Sequence, residues 1–271
     1  MNLESCLPNG LPLPPGRVIT SDEGDGDLQP LWLSDSPPST ELWPQLRAEH
    51  ADSGLWPLLL AALDPHDTDF RPWACGEIFP ERMSSPADHH PEALLARWWQ
   101  DYTNTGGPDD NDRLSADERL AITAPFGQSW PGRAPTPTLV DEADAMAEQY
   151  ARAFLAQHPH ARLGLVAAPR GADALAITGW AGPLNYDNDT AKFSAVVRDW
   201  EDRFGARLVG VGFDTLHLSI AAPPNRLEDA LVIAAEHFAC CPDNIWQGDH
   251  PHLAAYAEHL IELNCWDFWW D

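Results

Sequence analysis

The chain has 271 residues, 44% of them hydrophobic and 21% charged, which provides for a sizeable core and argues against wholesale disorder. Its 42 Asp and Glu against 16 Lys and Arg give a formal net charge of −26, which weighs against binding to a nucleic-acid backbone or an anionic membrane, because phosphates are repelled. It holds no apolar run long enough for a transmembrane helix, which needs about 18 residues.

The start, Met1-Asn2-Leu3-Glu4, lacks the basic and apolar pattern of a signal peptide, so a cytoplasmic location is expected. Arg17 to Thr20 and Leu28 to Leu33 read as short strands flanking the acidic turn Ser21 to Asp27. Ser39-Thr40 precedes a short capped helix over Glu41 to His50. Leu55 to Leu63 is apolar and assigned to the core, although Pro57 interrupts it. Asp64 to Asp88, with Pro65, Pro72, Pro80 and Pro86, is irregular. Pro91 opens a helix that repeats Leu94, Leu95, Trp98 and Trp99 on one side. Thr103 to Asp112 is rich in Gly, Asn and Asp, and Ala124 to Thr138 carries Pro125, Pro131, Pro135 and Pro137. The second is the better connection, giving an N-terminal α+β region over 1–124, a Pro-rich connection over 125–140 and a C-terminal α+β domain over 141–271.

The C-terminal part alternates more clearly. Asp141 to His158 is an amphipathic helix showing Met146, Tyr150, Ala153 and Phe154 on one face. Arg162 to Ala168 and Ala174 to Trp180 read as two strands. A helix over Thr190 to Phe204 is capped by Asp189 and stopped by Gly205. Ala206 to Phe213 and Leu216 to Ala221 read as a hairpin turning at Asp214-Thr215. A helix capped by Asn225 runs to Pro242, and a last helix spans Asp249 to Asn264. The final residues hold Trp266, Phe268, Trp269 and Trp270, rings too large to leave in water, so this end is expected to dock into the fold. The pattern predicts an α+β fold with a mainly antiparallel sheet covered by helices and an N-terminal α+β region packed against it.

Candidate sites each have a structural alternative. Gly179 to Asp187 follows a predicted strand and precedes a helix, and it offers Trp180, Asn185, Tyr186 and Asp187 for recognition, or two rings that plug the core. His217 and Ser219 share a strand face near Asp214, but no nucleophile elbow surrounds Ser219, so a half-exposed sheet face is the simpler reading. His237, Cys240, Cys241, His250 and His252 are zinc-ligand types, yet adjacent cysteines without a Cys-x-x-Cys pair do not make a metal site, and no metal is assigned. His237 and Cys240 can equally end an amphipathic helix. No dinucleotide, P-loop, zincin or EF-hand pattern occurs, so no cofactor is predicted. Five widely spaced cysteines, an odd number, point to reduced thiols.

Gly179-Trp180 through Asn185-Tyr186, Trp200-Glu201-Asp202-Arg203-Phe204-Gly205, Val211-Gly212-Phe213-Asp214, Ala235-Glu236-His237-Phe238, Pro242-Asp243-Asn244 and the closing Phe268-Trp269-Trp270-Asp271 resemble the bacterial domain-of-unknown-function family 4253 over about residues 160–271. The resemblance implies a bacterial, soluble protein and carries no catalytic residue with it. The expected function is that of a non-enzymatic, acidic protein-binding factor, immunity-like or regulatory, with a basic protein as partner. The alternative is an enzyme or small-molecule-binding protein that uses the Trp180–Asp187 loop and His217.

Overall fold

In the computed structural model, residues 3–8, 10–64, 66–104, 115–138 and 142–271 are described. The expected Gly-, Asn- and Asp-rich boundary therefore lies outside the described residues over 105–112, as does the start of the helix expected from Asp141. The strands β1 (Gly16–Ile19), β2 (Leu31–Ser34), β3 (Leu55–Leu60), β4 (Arg162–Ala167), β5 (Arg207–Val211), β6 (Thr215–Ser219) and β7 (Cys265–Trp269) form one sheet in the order β1-β2-β4-β3-β5-β6-β7. Neighbours are antiparallel except β3 and β5. The fold is α+β, and the N-terminal region adds three strands to the sheet itself.

β3 explains that merger. All six of its residues are buried, so only an interior place in the sheet hides both of its faces. Pro57 is tolerated there because β5 pairs with β3 only from Leu59 onward. The Pro57 carbonyl is taken instead by Trp43 Nε1 at 3.1 Å.

The α-helices among the described residues are α1 (Leu42–Ala48), α2 (His50–Ser53), α3 (Pro91–Thr103), α4 (Ala116–Ile122), α5 (Ala143–Gln157), α6 (Asp173–Thr178), α7 (Ala191–Phe204), α8 (Leu227–Cys240), α9 (Asp243–Trp246) and α10 (Leu253–Leu260), and short 3-10 turns lie at Leu3–Cys6, Pro80–Arg82 and Pro86–Asp88. α3, α6, α7, α8 and α10 share one apolar layer with Trp56, Leu58 and Leu60 of β3 and with Trp266 and Phe268 of β7. α5 covers the other face through Phe154, against Leu59 and Val209. The sequence expectation of a docked C-terminus takes the form of an added strand, with Trp266, Phe268 and Trp270 at most 2% exposed.

Three local expectations differ. Ala174 to Trp180 was expected as a strand but is mostly α6. Its apolar run is buried except at Ile177 and so carries no clear period to distinguish the two. Thr178 Oγ1 bonding back to the Ala174 carbonyl at 2.7 Å and Gly179 at φ +68° close the helix. α8 starts one residue late, with Arg226 rather than Asn225 in the N-cap position. The last expected helix shortens to α10, capped by His252 Nδ1, which accepts from the Ala255 N–H at 3.1 Å. Among the described residues no helix is long and apolar enough to cross a membrane.

Candidate functional site

The loop after α6 forms one wall of a cleft of about 450 Å³. Gly182, Leu184 and Asn185 face Phe213 and Asp214 of the β5–β6 turn, Arg71, Glu77 and Phe79 from the segment after β3, and Trp270 and Asp271. The cleft thus lies beyond the carboxyl ends of the parallel strands β3 and β5, where loops from both can converge.

Three contacts hold this wall. Trp180 is fully buried behind the loop, and its Nε1 donates to the carbonyls of Gly212 (2.9 Å) and Phe213 (3.0 Å). Gly179 accepts a hydrogen bond from Phe79 N at 2.8 Å. Only glycine permits this approach, because a Cβ there would stand 2.1 Å from Pro80 N. Asn185 Nδ2 donates to the Asp271 carbonyl at 2.7 Å. Across the cleft, Arg71 grips Glu77 through Nε and Nη2, and its guanidinium carbon lies 5.2 Å from the Phe213 ring centroid. Asp214 Oδ2 accepts from Trp269 Nε1 at 3.2 Å.

Residues 162–271 match the family described as Domain of unknown function (DUF4253). No curated protein and no solved structure matches the chain. The DUF4253 segment opens at the first residue of β4 and contains the loop, the β5–β6 turn and β7, so most of the cleft is built inside it. Arg71, Glu77 and Phe79 reach the cleft from outside DUF4253, as does β3 within the sheet.

The remaining candidates separate. Tyr186 and Asp187 brace the DUF4253 loop from behind. The Tyr186 hydroxyl donates to Asp243 Oδ1 at 2.6 Å, and burial together with that bond pushes its pKa up. Asp187 holds Lys192 Nζ at 2.6 and 2.8 Å and accepts from the Asp189 N–H at 3.0 Å.

His217 belongs to the opposite sheet face, under α5, and does not meet the Trp180–Asp187 loop. Its Nδ1 lies 2.8 Å from Asp267 Oδ1, which also accepts from the Tyr150 hydroxyl at 2.5 Å. Gly210 gives Phe154 room to lie against His217, with ring centroids 4.9 Å apart. Burial pushes the Asp267 carboxyl up, but hydrogen bonding to His217 and Tyr150 holds it below its ordinary value. Burial and the neighbouring His217 pull His158 down. This cluster has a base and a carboxylate that orients it, yet no activated nucleophile. Ser219 Oγ is buried without a hydrogen-bond partner among the described residues, and burial pushes the Cys265 thiol up to about 11.

His237 is a core residue. It is fully buried against Trp266, Phe268 and Trp200, with Nδ1 3.0 Å from the Tyr256 hydroxyl. Burial, with Arg203 nearby, drives its pKa down to about 3, so the ring is neutral. Among the described residues no group of three or more His, Cys, Asp or Glu is placed to hold a metal ion.

Sequence reasoning reached Asn185 but missed Arg71, Glu77, Phe79 and Phe213. Asp214-Thr215 was legible as a turn, with Phe213 ending the strand before it. Arg71, Glu77 and Phe79 sit in a proline-punctuated stretch with no period to mark which side chains face inward.

Proposed function

We propose that the protein is a binding protein whose cleft takes a small ligand with a flat apolar part and hydrogen-bond donors. The observation that carries this reading is the convergence of Asn185, Phe213 and Asp214 on one cavity of about 450 Å³, within the usual range for small-molecule sites of about 300–1,000 Å³. Phe79, Phe213 and Trp270 supply apolar wall, and Leu184 at the rim is 52% exposed. Glu77, Asp214 and Asp271 supply acceptors, whereas the one cation, Arg71, is engaged with Glu77. A protonated amine beside an aromatic ring satisfies both features. The test is a titration with tyramine and tryptamine followed by amide and indole NMR shifts. Saturable shifts confined to Asn185, Phe213 and Trp270, weakened by Asp214→Asn, support the reading. Absence of saturable shifts with every aromatic amine tried removes it.

A second reading, a basic protein partner, has its own support. Arg17, Arg71, Arg82, Arg152 and Arg226 each sit against a carboxylate, so the exposed excess charge is negative. Affinity capture from native lysate checks it: a stoichiometric basic partner released by high salt fits, and capture of only neutral or acidic proteins does not.

A further inference from the structure

The chain has only 16 basic residues against 42 acidic ones, yet three of them meet at a second cavity, of about 410 Å³, walled in part by Glu201 and Asp202 of α7. Arg47 comes from the last turn of α1, Arg170 from the turn between β4 and α6, and Arg207 from the first position of β5. His50, Trp56, Pro169 and the carboxylates Glu201 and Asp202 complete the wall.

These guanidiniums are held in place before any ligand arrives. Arg47 stacks on Trp56, with its guanidinium carbon 4.4 Å from the ring centroid, and Trp56 is itself fixed by Nε1 donating to the Leu208 carbonyl at 3.0 Å. Glu201, its side chain 4% exposed, accepts from Ala172 N at 2.9 Å and from Arg170 Nε at 2.5 Å. Gly171 keeps this wall thin, because a Cβ would meet the Trp56 ring at 2.5 Å.

Arg170 already has two carboxylates, Glu201 at 2.5 Å and Asp202 at 2.6 Å, so the charge is answered unevenly among the three guanidiniums. Arg47 and Arg207 share one carboxylate, Asp144, at 3.1 and 3.0 Å, and that side chain is 51% exposed. Arg47 is only 15% exposed, and its Nε is buried without a hydrogen-bond partner among the described residues. Two guanidiniums aimed at one solvent-exposed carboxylate have the geometry of an oxyanion clamp in which Asp144 occupies the anion's place.

We propose that Arg47 and Arg207, where they border this pocket, bind the oxyanion group of a small ligand, phosphate or carboxylate, as a clamp, with Asp144, which pairs with both of them, as the group displaced. Arg is suited to this because its planar fork pairs with two oxygens at once, and a partly desolvated clamp is less screened than one in open water. Trp56 and Pro169 limit the depth of the site, so the anionic group enters first and the rest of the ligand lies toward solvent.

The experiment is calorimetric titration of the full chain at low salt with inorganic phosphate and, separately, with succinate. Saturable binding of phosphate alone assigns a phosphate ligand, and binding of succinate alone assigns a carboxylate. Arg207→Gln is expected to weaken binding by about tenfold or more while the circular-dichroism spectrum is retained. Asp144→Asn is expected to tighten it, since the competing carboxylate is gone; a purely structural ion pair predicts no gain. The proposal is overturned if neither anion binds the folded wild type or Asp144→Asn, or if Arg47→Gln and Arg207→Gln bind as the wild type does. The aromatic cleft does not enter this assay, so the two sites stand or fall separately.

Discussion

Arg203 and Glu236 form a two-pronged ion pair inside the helical layer, with Nη1 to Oε1 at 3.1 Å and Nη2 to Oε2 at 2.5 Å. Glu236 is fully buried and also accepts from Trp200 Nε1 at 2.8 Å and from Ala134 N at 2.7 Å. One carboxylate thereby joins α7, α8 and the Pro-rich stretch before α5. Every lone-pair direction is used, which is the condition under which a buried charge is tolerated.

Glu236→Gln removes the charge but keeps the shape. Arg203 then retains Asp199 at 2.6 Å as its remaining ionic partner. The expected loss is about 3 kcal/mol, toward the low end for breaking a buried pair, read as a lower urea midpoint at unchanged slope. A loss under about 0.5 kcal/mol, the level of an ordinary surface substitution, contradicts the buried-network account.

His237 predicts an acid sensitivity. In the fold its pKa is about 3, against an ordinary value of 6.5. The unfolded chain therefore binds a proton on this ring at a pH where the folded chain does not. Its neutral form leaves stability intact above about pH 6.5 and costs about 1.4 kcal/mol for each unit the pH falls below that, until the folded pKa is reached. Comparing urea unfolding of wild type and His237→Gln at pH 7 and 5.5 isolates this ring from the carboxylates. Wild type should lose about 1.4 kcal/mol more than the variant over that interval; equal losses sink the assignment.

The fold class was legible because long amphipathic segments such as α5 and α7 carry a 3.6-residue period, and the β5–β6 hairpin sits either side of Asp214. The place of β3 was not. Six apolar residues identify a buried segment but not which strands flank it, and its neighbours β4 and β5 lie more than 100 residues further along the chain. α6 was misread for a related reason, since all of Ala174 to Thr178 except the half-buried Ile177 is buried. At the cleft, Asn185 was foreseen as a loop residue, whereas Arg71 became a wall residue only through the pairing of Leu63 N with the Arg71 carbonyl at 2.9 Å. His217 and Asp214, close in sequence, part company because alternate strand positions point to opposite faces.

Gly179→Ala tests the junction behind the cleft. The residue sits at φ +68°, and an added Cβ would fall 2.1 Å from Pro80 N and 2.2 Å from the Phe79 carbonyl carbon. Backbone cannot yield as a flexible side chain can, so the Phe79 segment must move. The expected cost is about 1–3 kcal/mol in stability, accompanied by displaced NMR shifts at Phe79. Unchanged stability and shifts show that the two segments are not locked together.

Trp180→Phe separates support of the cleft from support of the core. Phenylalanine retains most of the buried apolar ring that packs edge-on against Trp270, at a centroid distance of 5.6 Å. What it lacks is the Nε1–H, which serves the carbonyls of both Gly212 and Phe213. Leaving those acceptors short costs about 1–3 kcal/mol. Because Phe213 lines the cleft, the same change should also weaken aromatic-amine binding, while phosphate binding at the Arg47–Arg207 pocket stays at its wild-type value. Urea unfolding and the two titrations measure all three quantities on one variant. A stability loss with both affinities unchanged means that Trp180 is a core residue alone and that the β5–β6 turn holds its shape without it.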